Sequence, residues 1–421
     1  MRFGINTLDD LDVRDKTVLC RVDINEPVDR DTGKLKDTTR IEACVPTLRE
    51  LSGKGARLVL LAHQGSDIEY KNFYTTEPHA GVLSALLGRE VRFIDEVCGP
   101  AAREAVRSLQ SGEILLLDNV RFVSEEQTLF ETKLRLSPEE QAKTLLVRKL
   151  APLADLYIND AFAAAHRDQP SLCGFERVLP SAMGRLFEEE FCVVSSLMEK
   201  PARPCVFVLG GAKISDAFLM MSAVLGGGAV RDGVADRVLA GGLVGEVLLW
   251  ADNKDIGEGA RAFIKKEGYE PLLGTARELL ATYRDRILCP VDFAAVEGGR
   301  RVEYALGKIP PDALILDIGS ETAAAYQGEI RGAGTVFVNG PMGVFEEAPT
   351  ERGTRMVWDA LGDTAAYTVI GGGDSIAATK KYGKTRDINY ICTGGGALIR
   401  FLTGEELPVV KALRFGSKLK K

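Results

Sequence analysis

The segment RVDINEP, Arg21 to Pro27, sets a cation, a carboxylate and an amide at every second place after the apolar run Val18-Leu19-Cys20. Period two would put Arg21, Asp23 and Asn25 on one face of a strand, with Val22 and Ile24 on the other. Unpaired charge is costly inside a protein, so such a face is either an internally satisfied pair or a ligand site. Further residues weigh on that choice. Arg40 in DTTRI, His63 in AHQG, Arg121 in DNVRF and His166-Arg167 in AAAHRD fall just beyond strand-like runs. With Arg21 they make four arginines at strand ends, where guanidinium groups grip phosphate or carboxylate in a bidentate way. That is an anion-binding composition.

A second chemistry lies further along the chain. Gly210-Gly211-Ala212-Lys213, Gly340-Pro341-Met342-Gly343, Gly371-Gly372-Gly373-Asp374-Ser375 and Gly394-Gly395-Gly396-Ala397 each follow an apolar run. Glycines there let backbone N–H groups and helix N-termini approach phosphate oxygens closely. One such loop has a purely steric explanation, whereas four, with a lysine in one and an aspartate in another, point to a nucleotide site. Lys213 would offset phosphate charge, and Asp374 would hold the magnesium ion that accompanies a nucleoside triphosphate. Asp374 would equally suit an N-cap. The segment ATKKYGKT, Ala378 to Thr385, mimics a phosphate-binding loop, but it lacks the first glycine and a preceding strand, so it reads as a helix end. The strict GxGxxG fingerprint is missing from the strand-to-helix turns, which favours phosphoryl over hydride transfer.

These groups need elements to position them. Short apolar runs ending in Gly, Asp, Asn or His alternate with helix-like segments: KTVLCRVD, RLVLLAHQG, EILLLDNVRF and DLYINDAF first, then PCVFVLGGAK, DRVLAGGL, RILCPVDF, ALILDIGS, TVFVNGPMG, AYTVIGGGDS and NYICTGGGA. That order predicts an α/β fold with parallel sheets covered by helices on both faces, and ligands beyond the carboxyl ends of the strands. Between Pro180 and Pro201, the spacing of Leu186, Val193, Val194 and Leu197 predicts a linker helix over 185–200. The domains expected are 1–184, 201–404 and a tail at 405–421. Rims on two lobes would hold two substrates and meet by hinge movement.

Composition narrows the class. At 421 residues with 45% apolar content, the chain is long enough for two ordinary globular domains. A net charge of −7 gives no case for nucleic-acid binding or docking on an anionic membrane. No stretch approaches 18 consecutive apolar residues, and MRFGINTLDDLD has no apolar leader core. Eight scattered cysteines without a CxxC pair read as thiols of a reducing cytoplasm.

RVDINEP, DTTRI, AHQG, LLDNVRF, INDAF with AHR, GGAK, LDIGS, VNGPMGVFE, GGGDS and TGGGA stand in the order and spacing of the phosphoglycerate kinase family, which the chain resembles from about residue 10 to residue 413. The resemblance implies two Rossmann-like lobes. The first would bind 3-phosphoglycerate or 1,3-bisphosphoglycerate, the second ADP or ATP with magnesium, and the tail would return to the first. Asp23 and Asn25 would bond the hydroxyl and carboxyl end of the glycerate, with Arg21 orienting Asp23. Arg121 and Arg167 would hold the phosphate that stays, assisted by His63 and its followers Gln64, Gly65 and Ser66. Arg40 would reach the phosphoryl group in flight, joined by Lys213 and by N–H groups of Gly372, Gly373 and Gly395. Glu346 would bind the ribose, with Asn339, Gly211, Gly371 and Ser375 near the nucleotide phosphates. The family acts in the cytoplasm, and a monomer is expected, with a dimer as the alternative.

Three positions depart from the family pattern. Glu26 stands where a small residue is usual, Ser66 where an arginine is usual, and Ala217 where a second lysine is usual. The strings DTTRI and HQG lean toward archaeal members, and the stretch over 124–144 is longer than expected, without a functional account.

Overall fold

The computed structural model describes residues 1–29, 31–65, 73–127, 133–226 and 233–419. The chain forms two compact units, Met1–Cys192 with Glu406–Lys421, and Val193–Glu405. A helix runs over Arg185–Glu199, and the division between units falls inside it.

In the first unit, β1 (Thr17–Arg21), β2 (Arg57–Leu61), β3 (Val91–Ile94), β4 (Ile114–Leu117), β5 (Leu156–Asn159) and β6 (Ser181–Met183) form one sheet in the order β3-β4-β2-β1-β5-β6. Its neighbours all pair parallel. Val18, Cys20, Leu58, Leu60, Ile114 and Leu116 enter one core, whereas Leu19, Val59, Leu61, Leu115 and Leu117 enter another. Alternate side chains thus meet buried layers on both faces, which is why these strands read as unbroken apolar runs. The last helix, Pro408–Gly416, buries Val409, Val410, Ala412 and Leu413 in this unit. Ser417 Oγ accepts from Asn6 N at 2.8 Å. A Cβ on Gly416 would stand 2.6 Å from Ser181 Oγ, so the helix docks closely because that residue has no side chain.

In the second unit, β7 (Cys205–Leu209), β8 (Arg237–Ala240) and β9 (Ile287–Leu288) join β13 (Thr335–Asn339), β14 (Tyr367–Gly371) and β15 (Tyr390–Cys392) in the parallel order β15-β14-β13-β7-β8-β9. Two of the runs expected in this sheet behave otherwise. RILCPVDF gives only the short edge strand β9 and the start of β10 (Asp292–Glu297), and ALILDIGS contributes β12 (Asp317–Ile318). With β11 (Arg300–Ala305) these make a separate antiparallel sheet, β11-β10-β12. Gly298 and Gly299 at positive φ close a tight hairpin between β10 and β11, so this pair needs no crossover helix. ATKKYGKT lies at a helix end as expected, because the helix Gly373–Lys381 stops there.

Among the described residues no helix is long and apolar enough to cross a membrane. Among the described residues no cysteine forms a disulfide.

Candidate active site

The order of the first sheet runs outward both ways from the neighbours β1 and β5, so the connections leaving their carboxyl ends part there. A doubly wound sheet binds its ligands in such a crevice. β1 ends at Arg21, so the alternating face expected through Asn25 does not form; Asp23 and Asn25 lie in the loop beyond the strand. Arg21 is 1% exposed and is tied inward. Its guanidinium donates to Ser171 Oγ at 3.0 Å, to the Val22 carbonyl at 2.7 Å and to His63 Nδ1 at 3.1 Å. Asp23 pairs instead with the Arg40 guanidinium, which takes the orienting role expected of Arg21. That carboxylate is the main cause of the raised Arg40 pKa.

His63 gathers the arginines. Burial, followed by the fields of Arg21, Arg121, Arg167 and Arg40, holds its pKa well below the ordinary imidazole value. His63 is therefore neutral, and it serves as an acceptor for Arg21 rather than as another cation. Arg121 is buried and donates to the Gly65 carbonyl. Arg167 is half-buried beyond β5. Gly65 N donates to Asn25 Oδ1 at 2.9 Å, joining the two loops. Gln64, expected on the rim, is 3% exposed and faces inward. Its side chain donates to the Glu26 carbonyl at 2.8 Å, accepts from Glu26 N at 3.1 Å and meets His79 Nε2 at 3.0 Å. Those contacts occupy both ends of the amide, so it braces the loop. Ser66 lies outside the described residues, as do 128–132 of the long stretch.

Glu26 now has a local explanation. Its carboxylate accepts from the backbone N–H of Arg40 at 2.6 Å and of Ile41 at 3.3 Å, at the start of the helix Thr39–Gly53. Thr38, the N-cap residue, makes no side-chain cap bond, so Glu26 satisfies donors that the helix leaves open. Sequence reasoning missed this role, since Glu26 lies 14 places from Arg40 and outside any capping-box spacing.

The second sheet reverses direction between β7 and β13, and there the glycine loops meet. Gly210 N donates to the Asn339 carbonyl at 3.0 Å, Gly211 N to Pro341 O at 2.8 Å, and Gly340 N to Ser375 Oγ at 2.7 Å. Gly211, Ala212, Lys213, Asn339, Gly340, Gly372, Gly373, Asp374 and Ser375 line a small notch at these strand ends. Lys213 precedes the helix Ile214–Leu225 and is exposed, and Gly373 and Asp374 open the helix Gly373–Lys381. Gly372 sits at φ +88°, where a Cβ would lie 2.4 Å from Asn339 Oδ1, so glycine is required. Gly371 and Gly395 do not line the notch. Gly371 is buried at the end of β14, where a Cβ would meet Leu398 at 2.3 Å, so its small size serves packing. Gly395 starts the helix Gly395–Leu402, and a Cβ added to it would meet nothing within 4 Å. Ala217 is buried on the helix Ile214–Leu225 and faces the core.

Beside the notch, sharing Gly211, Ala212 and Asp374 with it, is a cavity of about 280 Å³. Leu243, Phe263, Phe293, Met342 and Phe345 make its wall largely apolar, and the exposed Glu346 also borders it. An apolar chamber next to a backbone-lined anion notch matches the two ends of a nucleotide. Asp374 fits magnesium in one particular sense. Among the described residues no three His, Cys, Asp or Glu side chains gather to hold a metal, and one exposed carboxylate suits an ion whose other ligands are substrate phosphates and water.

Two doubly wound units, one collecting guanidinium groups at a strand-end crevice and the other pairing a glycine notch with an apolar chamber, mark the class of two-domain kinases of small molecules. The chain belongs to the phosphoglycerate kinase family, whose family model matches residues 8–405. It is 46% identical over 411 residues to the phosphoglycerate kinase of Methanothermobacter thermautotrophicus, covering 98% of this chain and 97% of the relative. To that of Methanothermus fervidus it is 44% identical over 416 residues, 99% and 98% of the two chains. The crystal structure of phosphoglycerate kinase from Pyrococcus horikoshii is 41% identical, with a TM-score of 0.87 over 97% of this chain and 98% of that one. The enzyme from Coxiella burnetii, at 28% identity, has a TM-score of 0.79 with the same coverage.

Proposed function

We propose that this chain moves a phosphoryl group reversibly between the acyl phosphate of 1,3-bisphosphoglycerate and ADP, giving 3-phosphoglycerate and ATP. The observation that carries the reading is the convergence of Arg21, Arg40, Arg121 and Arg167 on a neutral His63 at the strand-end crevice of the first unit. A phosphorylated carboxylic acid, anionic at both ends, is the ligand such a set favours. Asp23 and Asn25 take its hydroxyl and carboxyl end, while Arg121 and Arg167 hold the phosphate that stays. The nucleotide lies on the second unit, with its base in the apolar chamber, its ribose at Glu346 and its phosphates at Lys213, Asn339, Gly372 and Gly373.

The chemistry needs no general base, because an acyl phosphate is already activated and ADP is already an anion. The obstacle is bringing like charges into line, so the residues position and neutralise. Arg40, with Lys213, meets charge on the transferring group. Asp374 would hold a magnesium ion, which would supply further charge neutralisation. The reading places the protein in the cytoplasm as a monomer; eight cysteines outside any disulfide fit a reducing compartment.

A coupled assay of ATP-dependent phosphorylation tests it. Turnover is expected with 3-phosphoglycerate and magnesium, to be lost on chelation and restored by added magnesium. Preference for acetate or carbamate as acceptor would instead make the protein a different carboxylate kinase.

The Glu26 cap gives a second expected result. Glu26→Ala leaves the first turn of the Arg40 helix unsatisfied, and kcat is expected to fall roughly tenfold, since small displacements of a positioning group are costly. Glu26→Gln keeps an accepting oxygen and should retain most turnover. Equal kcat in both variants and the wild type would reduce Glu26 to a helix cap without catalytic consequence.

A further inference from the structure

The helix Gly242–Ala251 follows β8 and presents Gly242, Leu243 and Glu246 to the apolar chamber. Their spacing of one, three and four residues places them on neighbouring positions of one helix face. Glu246 is 3% exposed. Among the described residues no hydrogen-bond donor and no charged group engages its carboxyl, and burial is the one cause acting on it. Three other buried acids, none of them bordering a chamber that could seat a base, accept from backbone donors. Glu126 accepts from Ser171 N at 2.5 Å, Asp160 from Phe187 N at 3.2 Å, and Asp292 from Glu321 N and Thr322 N at 2.9 and 2.8 Å.

The chamber holds nothing that would compensate a negative charge at this place. Its remaining ionisable residues are the acids Asp317, Glu346 and Asp374, and the wall beside Glu246 is built from Leu243, Phe263 and Phe293. A carboxyl group in such surroundings takes its neutral form. The neutral acid is a donor and an acceptor side by side, and a buried pair of that kind left idle costs stability.

We propose that Glu246 is the base-reading residue of the nucleotide site: its O–H donates to the ring nitrogen N1 of adenine while its C=O accepts from the exocyclic N6 amine. Burial pushes the carboxyl up to about 8, so the donating form predominates at neutral pH. The inference rests on the nucleotide reading of the second unit and goes beyond it by naming the group that recognises the base. Because the two oxygens exchange roles by moving one proton, the reversed edge of hypoxanthine is also matched. A purine with a bare 6-position is not matched, since one half of the acid then stays unpaired.

Calorimetric titration with ADP, IDP and the 5′-diphosphate of unsubstituted purine riboside tests this in the wild type, Glu246→Gln and Glu246→Met. The wild type is expected to bind ADP and IDP within a few-fold of each other and the bare purine roughly tenfold or more weakly. Glu246→Gln, whose amide offers the same donor and acceptor, should keep that ratio. Glu246→Met fills the same space without polar atoms, so all three ligands should come within a few-fold, and its melting temperature should rise because an unsatisfied buried acid is gone. A merely structural glutamate would give a lower melting temperature and an unchanged ligand ratio. Glu246→Met that retains the wild-type ratio of ADP to bare purine overturns the assignment. A wild type that takes up no ADP at all overturns the nucleotide site beneath it, and the two failures are thereby distinct.

Discussion

Arg40→Ala is expected to lower kcat by a hundredfold or more while changing KM for 3-phosphoglycerate and ATP much less. Arg40 belongs to the first turn of the helix Thr39–Gly53, its backbone N–H is held by Glu26, and its guanidinium is paired with Asp23. Its side chain retains 35% exposure against 6% for Asp23, so the cation has one face on the carboxylate and another open to a ligand. In the transition state the charge of the transferring group is spread over its three equatorial oxygens while the group lies between donor and acceptor, and a cation placed for that geometry acts mainly on turnover. The alanine variant also leaves Asp23 without its partner, adding unneutralised negative charge close to the anion in flight. A hundredfold corresponds to about 2.7 kcal/mol, the usual scale for losing one such stabiliser. Arg40→Lys keeps the charge but not the planar fork, so it should fall between the two. Steady-state kinetics separate the possibilities: near-normal kcat with only a raised KM would assign Arg40 to ground-state binding.

The other large effect is expected at Gly340, where alanine should both destabilise the second unit and abolish most nucleotide affinity. The residue sits at φ +96°, and a Cβ there would lie 2.1 Å from the Gly210 carbonyl oxygen and 3.0 Å from Gly211 N. Those neighbours are backbone, so no rotamer change relieves the overlap; the loops after β7 and β13 must separate, and the notch opens with them. Left-handed strain and overpacking together make a cost of about 3 kcal/mol reasonable. Gly383 supplies a control, since its φ of +68° is also positive but nothing lies within 4 Å of its Cβ position. Gly383→Ala should cost about 1 kcal/mol and leave ADP binding intact. If calorimetric unfolding and ADP titration give the same mild result for both variants, the close approach of the two loops is not what shapes the notch.

Much of the architecture was legible in one dimension for a definite reason. Strands buried on both faces must be apolar at every position, so the runs around Leu19, Val59 and Leu115 stand out without any partner being known. Glycines and polar residues at the ends of those runs likewise marked the loops that gather at the carboxyl ends of the parallel strands. The same reasoning fails where an element leaves the repeating pattern. Asp292–Glu297 and Arg300–Ala305 are a two-stranded hairpin on which apolar content alone cannot distinguish parallel from antiparallel pairing. Likewise Arg21, Asp23 and Asn25 alternate in the sequence, yet the strand stops at Arg21 and the later two residues follow loop geometry.

The sequence by itself determined the fold class, the family and the inventory of groups: arginines in one half, glycine loops with Lys213 and Asp374 in the other. Only the tertiary structure decided what each group does with its bonds. Gln64 faces inward to Glu26 and His79, Asp23 takes Arg40 instead of Arg21, and Gly371 packs against Leu398. Glu246 is left with no bond among the described residues, beside an apolar chamber. The physical reason is one of range. Propensity and periodicity act between residues a few places apart, and they are written into the chain. Hydrogen bonds, ion pairs and burial act over a few ångströms in space, and the partners here stand 14 places apart for Glu26 and Arg40 and 42 for Arg21 and His63. Their meeting exists only once the sheets have brought their strand ends together.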